Sequence, residues 1–141
     1  MCPIKNFEKS SEEDKLKANL FAAKAYVLKN DLASAFPNFK EVSEKTKTIL
    51  AAEARYQMAA IQFQQGEYKA AQQTAFDLIK NLPSFDYWVA KSFLLLADTY
   101  LALKDEFQAK STLQSLIDNY TGNDEIIPAA KEKLEALNKK N

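Results

Sequence analysis

A set of matched alanines does most to narrow what this chain can fold into. Over residues 52–83 two amphipathic segments meet at Gly66 and stop at Pro83. Laying Gly66 over Asn30 and over Lys104 brings Ala59 onto Ala23 and Ala97, and Ala71 onto Ala35 and Ala109. Tyr26 then falls with Gln62 and Tyr100, Phe39 with Ala75 and Leu113, and Val42 with Leu78 and Leu116. The offsets are 36 and then 38 residues. In each unit one alanine precedes the turn and the other follows it. Helix axes pack about 8–10 Å apart depending on the contact residues, so paired small residues mark the closest approach of two helices. A period of this length in helical hairpins is the signature of a stacked repeat.

The rest of the chain fits helices between these turns. Gly and Pro are scarce, with 2 and 4 copies, and strong helix formers are plentiful. Residues 1–11 carry Pro3 and no clear period, and read as a loosely held arm. Ser11 followed by Glu12, Glu13 and Asp14 resembles a capping box, which predicts a first helix over 12–29 bearing Leu16, Leu20, Ala23 and Val27. Asp31 can cap a second helix with Leu32, Ala35, Phe36, Phe39 and Val42 on one face and Pro37 inside it, where a hydrogen bond is lost. Further helices are expected over 49–65, with Thr48 as N-cap, over 67–81, and over 86–103, with Ser84 or Asp86 as cap. The sixth carries Phe107, Ala109, Leu113, Leu116 and Ile117. The seventh, capped by Asp124 and reaching 138, has Ile127, Ala130, Leu134 and Leu137 on one stripe and Lys131, Glu132, Lys133 and Glu135 on its wet side. The expected organisation is three units over 12–47, 48–84 and 85–122, then a solvating helix over 123–141.

In the middle unit Tyr56, Met58, Ala59, Gly66, Tyr68, Ala71 and Pro83 stand where the tetratricopeptide repeat (TPR) family has its characteristic residues. Residues 17–120 resemble three such repeats. The family's signature Trp is replaced by Asn19, Arg55 and Phe93, its closing Pro is present only as Pro83, and the units exceed its usual length. Other helical-hairpin solenoids are the alternative. The third unit, YWVAKSFLLLADTYLALKDEFQAKSTLQSLIDNY, also resembles the closing repeat of long bacterial multi-TPR proteins of the cell envelope. That likeness implies the C-terminal part of a longer protein, placed in the envelope or periplasm; otherwise a cytoplasmic protein is implied.

The TPR resemblance implies an all-α, right-handed superhelix of three helix–turn–helix repeats plus a C-terminal capping helix, seven helices in total. It implies a concave groove lined by the first helix of each pair. The groove residues would be Leu20, Lys24 and Val27, then Tyr56, Ala60 and Phe63, then Leu94, Asp98 and Leu101. This mostly apolar set suits an extended peptide or an amphipathic helix. Tyr56, Phe63, Leu94 and Leu101 could instead be core, or be covered by the arm before Ser11 or by neighbouring repeats of a longer parent. The set lacks the Asn- and Lys-lined pattern of TPR domains that clamp a chaperone's C-terminal carboxylate.

Composition argues against other classes. The formal charge is zero, so no global field draws nucleic acid or anionic lipid. There is no His and a single Cys, Cys2, so neither a zinc site of the usual ligand sets nor an intrachain disulfide can form. No cofactor is expected. The longest apolar run, residues 93–97, is far short of the roughly 20 residues of a spanning helix. Residues 1–5 do not resemble a signal peptide, since no apolar stretch follows. Acid–base catalysis usually draws on His or a desolvated carboxylate in a pocket. Here the only polar pairing worth testing is Asp98 with Lys24, and no enzyme is expected. Two functions stand: a non-catalytic scaffold binding a protein or peptide in its groove, and a capping or self-association segment of a longer solenoid. Helix-start stabilisation for residues 12–14, packing for Trp88, and a solvated face for Lys131, Lys133, Lys139 and Lys140 are the favoured readings of the lesser features.

Overall fold

The computed structural model describes residues 3–140, with side chains from Ser11 onward. Seven helices and no strand occur among the described residues: α1 (Pro3–Leu28), α2 (Leu32–Lys45), α3 (Ile49–Gln64), α4 (Tyr68–Asn81), α5 (Asp86–Ala102), α6 (Glu106–Asn119) and α7 (Ile126–Lys139). Cys2 lies outside the described residues.

One turn is used three times. The connections α1–α2, α3–α4 and α5–α6 each place a residue with positive φ at their centre: Asn30 at 61°, Gly66 at 80° and Lys104 at 67°. The backbone N–H of that residue donates to the carbonyl three residues back, Val27, Phe63 or Leu101, at 2.9, 3.0 and 3.0 Å. The next N–H donates to the carbonyl five residues back, Tyr26, Gln62 or Tyr100, at 2.8 Å in every case. This is the Schellman closure, which satisfies carbonyls left open by the last helical turn. Asp31 and Asp105 then cap the following helix, accepting from the N–H of Ser34 at 3.2 Å and of Gln108 at 3.1 Å. The three positions aligned from the sequence are therefore one structural feature.

The six matched alanines are all fully buried, at 0% exposure. Each hairpin closes on its pair, and the core continues between hairpins. Ala54 and Ile61 of α3 enter the cluster built by Leu16, Leu20, Ala23, Ala35, Phe39 and Val42 of the first hairpin. A second cluster joins α5 and α6 to Ile126, Ala130 and Leu137 of α7.

Packing between hairpins is asymmetric. Each odd-numbered helix touches the next odd-numbered one, whereas α2 makes no close approach to α4, nor α4 to α6. A stack that is tight on one layer and open on the other curves, with α1, α3, α5 and α7 on the inner side.

The N-terminal expectation is corrected. Residues from Pro3 onward are helical, so α1 is 26 residues long and Ser11 lies in its interior, not at a cap. Proline suits the first position of a helix, where its missing N–H has no partner to lose, and no Gly or further Pro interrupts 4–28. The acidic run 12–14 consequently lies beyond the first turn. Glu13 instead accepts a hydrogen bond from the Thr46 hydroxyl at 3.2 Å, tying α1 to the loop after α2. Thr48 stands at the start of α3 but its hydroxyl makes no cap bond; its N–H donates to Thr46 Oγ1 at 3.2 Å. Phe85, not Ser84 or Asp86, occupies the cap of α5. Glu125, not Asp124, occupies the cap of α7 and makes no side-chain cap bond; Asp124, one residue earlier, accepts from the Ile126 N–H at 3.0 Å.

Candidate functional site

The inner layer carries the candidate site. Leu20 is 4% exposed and belongs to the first core cluster, so it presents no surface to a ligand, contrary to expectation. Val27, Tyr56, Ala60, Phe63, Leu94 and Leu101 are half-buried. Phe63 meets Tyr68 edge to face, with ring centroids 5.3 Å apart, which holds it against its own hairpin. Leu94 and Leu101 pack on the core shared with α7.

Lys24 and Asp98 do not pair with each other. Lys24 Nζ lies 2.7 Å from Glu53 of α3, and Lys133 Nζ of α7 lies 3.0 Å from Asp98. Both pairs join one inner helix to the next. Partly exposed pairs of this kind contribute roughly 0.2–1 kcal/mol, but they fix how the inner helices align.

The middle junction, α3 with α5, is held by rings instead. Trp88 packs tilted on Tyr56, centroids 5.6 Å apart, and edge-on to Tyr87 at 5.0 Å. Lys91 Nζ stands over Tyr56 at 5.1 Å and near Tyr87 at 6.0 Å. No carboxylate pairs with Lys91 among the described residues. Burial, and secondarily the Asp98 charge, pushes the Tyr56 phenol up from its ordinary range. The hydrogen bond that Tyr87 donates to Glu125 carries its phenol up to about 12. The bond from Tyr120 to Asp124, 2.6 Å, does the same there. Phenols so shifted are firmly neutral near pH 7, and serve as donors and apolar surface.

On the outer side Asn19, Arg55 and Phe93 stand at one position of the three repeats. Asn19 donates to Glu41, linking α1 to α2. One repeat on, Arg55 occupies the Asn19 position and Asp77 the Glu41 position, 3.1 Å apart. Arg55 also donates to the Ser43 hydroxyl at 2.8 Å and the Ser43 carbonyl at 2.9 Å, so a single guanidinium spans the gap between α2 and α4. The third repeat has Phe93 and Ser115 at these positions, and no such clasp can form. A cleft of about 460 Å³ opens there, with Asp86, Ala90, Phe93, Ser115, Leu116 and Tyr120 among its lining.

Among the described residues no group of three metal-ligating side chains converges, and no helix is long and apolar enough to cross a membrane. The buried hydroxyls of Ser92 and Thr99 donate to the carbonyls of Trp88 and Leu95, at 2.8 and 2.7 Å.

Sequence reasoning missed Lys91, Tyr87 and the Arg55 clasp. The clasp left a readable signal: Asn19 with Glu41 and Arg55 with Asp77 are complementary pairs at one repeat offset.

Three hairpins closed by one turn, stacked with their odd helices in contact, define a helical-hairpin solenoid. Residues 91–122 match the family described as tetratricopeptide repeat. With the seven-helix architecture, that match supports a tetratricopeptide-repeat protein. Neither a curated protein nor a solved structure gives a match.

Proposed function

We propose that this protein is a non-catalytic binding scaffold whose inner face, formed by α1, α3, α5 and α7, receives a peptide segment of a protein partner. The repeat class supports protein interaction in general; the choice of face rests on the junction of α3 and α5. There Tyr56, Tyr87 and Trp88 offer ring surface, and the Lys91 ammonium has no carboxylate partner among the described residues. A peptide laid along the inner face would cover Tyr56, Phe63 and Leu94 and bring an acidic side chain to Lys91. Lys24 and Asp98 act as ties between helices in this reading, not as ligand contacts.

Displayed peptide libraries selected on the immobilised full chain test this, with the recovered peptide titrated by fluorescence anisotropy. Tyr56→Ala and Phe63→Ala should each weaken binding about tenfold, equivalent to about 1.4 kcal/mol, with circular dichroism unchanged. Phe107→Ala, on the outer helix α6, should leave it intact. Equal affinity for the Tyr56 and Phe63 variants would sink the groove.

A second reading, a terminal cap of a longer solenoid, is favoured by α7. It buries Ile126, Ala130 and Leu137 while exposing Lys131, Glu132, Glu135 and Asn138.

A further inference from the structure

Helix α1 exposes a face that its counterparts cover. Ala18, Ala22 and Ala25 are exposed, and beside them Phe21 is 69% and Leu28 89% exposed. One repeat further on, the alanine positions are Ala54, Met58 and Ile61, which pack against the first hairpin. Two repeats on they are Ser92, Leu96 and Thr99, at 1% exposure or less. At about 100° per residue, Ala18, Phe21, Ala22, Ala25 and Leu28 fall within about a third of the helix circumference. Among the described residues the Phe21 ring meets the Lys24 ammonium, 5.7 Å from its centroid, and no other ring.

We propose that a second copy of this chain covers this face, α1 packing antiparallel on α1 about a twofold axis between Phe21 and Ala22. Charge decides the occupant. Asp14 and Lys29 lie on the same face, one at each end, and neither has an ion-pair partner among the described residues. In the antiparallel register Ala18 opposes Ala25, Phe21 opposes Ala22, and Asp14 opposes Lys29 at both ends of the contact. Small residues at the centre let the axes approach, and each Phe21 ring fills the space the opposing alanines leave. A preceding hairpin of the repeat type fits less well. Where α1 has Asp14, α3 has Leu50 and α5 has Trp88, both packed against core clusters. Another hairpin there would bury an unpaired carboxylate. The face spans about 22 Å along one helix, which places the dimer among small, reversible interfaces.

Sedimentation equilibrium of the full chain, loaded across the micromolar range, tests this. A monomer–dimer equilibrium is expected, and Phe21→Glu should give a monomer with an unchanged circular dichroism spectrum. Asp14→Lys alone sets lysine against lysine, and Lys29→Asp alone sets aspartate against aspartate. Each should weaken the dimer about tenfold, and the double variant should restore it. A monomer at every loading would overturn the proposal. So would assembly beyond a dimer, a dimer indifferent to Phe21→Glu, or a double variant no better than the single ones.

Discussion

Gly66 and Lys104 do the same conformational work with opposite suitability for it, and exchanging their characters measures what the turn costs. Both sit at positive φ, 80° and 67°, and both make the same backbone bonds. An L-residue in the left-handed region costs about 1–2 kcal/mol, a penalty glycine does not carry. A Cβ built on Gly66 meets no atom within 4 Å, so Gly66→Ala incurs backbone strain alone. Against this, alanine narrows the unfolded chain and returns about 0.4–1 kcal/mol. The net loss is about 0–1.6 kcal/mol, centred near ~0.8 kcal/mol. Lys104→Gly reverses both terms and forfeits about 0.3 kcal/mol of favourable charge at a helix C-terminus, for a net gain centred near ~0.5 kcal/mol. Entropy of unfolding near 2.1 cal/mol/K per residue over 141 residues makes each kcal/mol worth about 3 °C in Tm. Urea unfolding followed by far-UV circular dichroism should rank Lys104→Gly above the parent and Gly66→Ala below it, with the slope unchanged. If Lys104→Gly fails to stabilise, or Gly66→Ala is silent, the turn is not the strained closure described.

The Arg55 clasp should be a larger element of stability than the exposed ion pairs. Arg55→Met keeps the stem but leaves the buried Ser43 hydroxyl unpaired, and is expected to cost about 1–3 kcal/mol in urea unfolding. Asp77→Asn should cost only about 0.5 kcal/mol, because that side chain is half exposed. In an alkaline absorbance titration Tyr87 and Tyr120 should ionise at about 12, later than ordinary phenols near ~10. Their folded values are raised, so the stability they add is intact below pH ~10 and is lost as pH climbs through about 12. Tyr87→Phe and Tyr120→Phe should each remove one late component. Ala59→Leu should destabilise by about 1–3 kcal/mol through overpacking, whereas Ala60→Leu, at a half-buried position, should be near neutral. Ending the chain at Gly122 should lower hydrogen-exchange protection in α5 and α6, the helices α7 touches, and leave α1 to α3 unchanged; uniform loss would refute that locality.

Much of the architecture was legible because it depends on local chemistry repeated in register. The alignment of Asn30 and Lys104 with Gly66 corresponds to three positive-φ turns, and the six alanines mark the helix contacts. Helix ends within the hairpins fall within a residue or two of expectation for the same reason. The start of α1 was not legible. A Ser-x-x-Asp pattern signals a cap only if no helix precedes it, and the helix-forming residues upstream extend α1 to Pro3. The ion pairs also escaped. Lys24 reaches Glu53 and Asp98 reaches Lys133 across helices that are not consecutive, so their partners depend on how far each repeat shifts along its neighbour. Leu20 shares its register with Tyr56 and Leu94. Its short side chain lies in the core with Ala54 and Ile61, whereas the Tyr56 ring extends to meet Trp88 and Lys91.

The loss of the clasp in the third hairpin explains why α7 does more than present a wet face. In the first two hairpins a side chain ties the paired helices on the outer side, through Asn19 with Glu41 and Arg55 with Asp77. Phe93 and Ser115 cannot do this, and the cleft between α5 and α6 marks the missing contact. The ties there come from the segment leading into α7. Tyr87, near the start of α5, donates to Glu125, and Tyr120, just past α6, donates to Asp124. The same Asp124 accepts from the N–H of Ile126, the first residue of α7, with its other oxygen. Two phenols on separate elements thus converge on adjacent carboxylates in one turn, while Lys133 secures α7 to Asp98 on the inner side. Closure of the last hairpin and placement of the last helix are therefore one event: the side chains that substitute for the clasp are the ones that position α7.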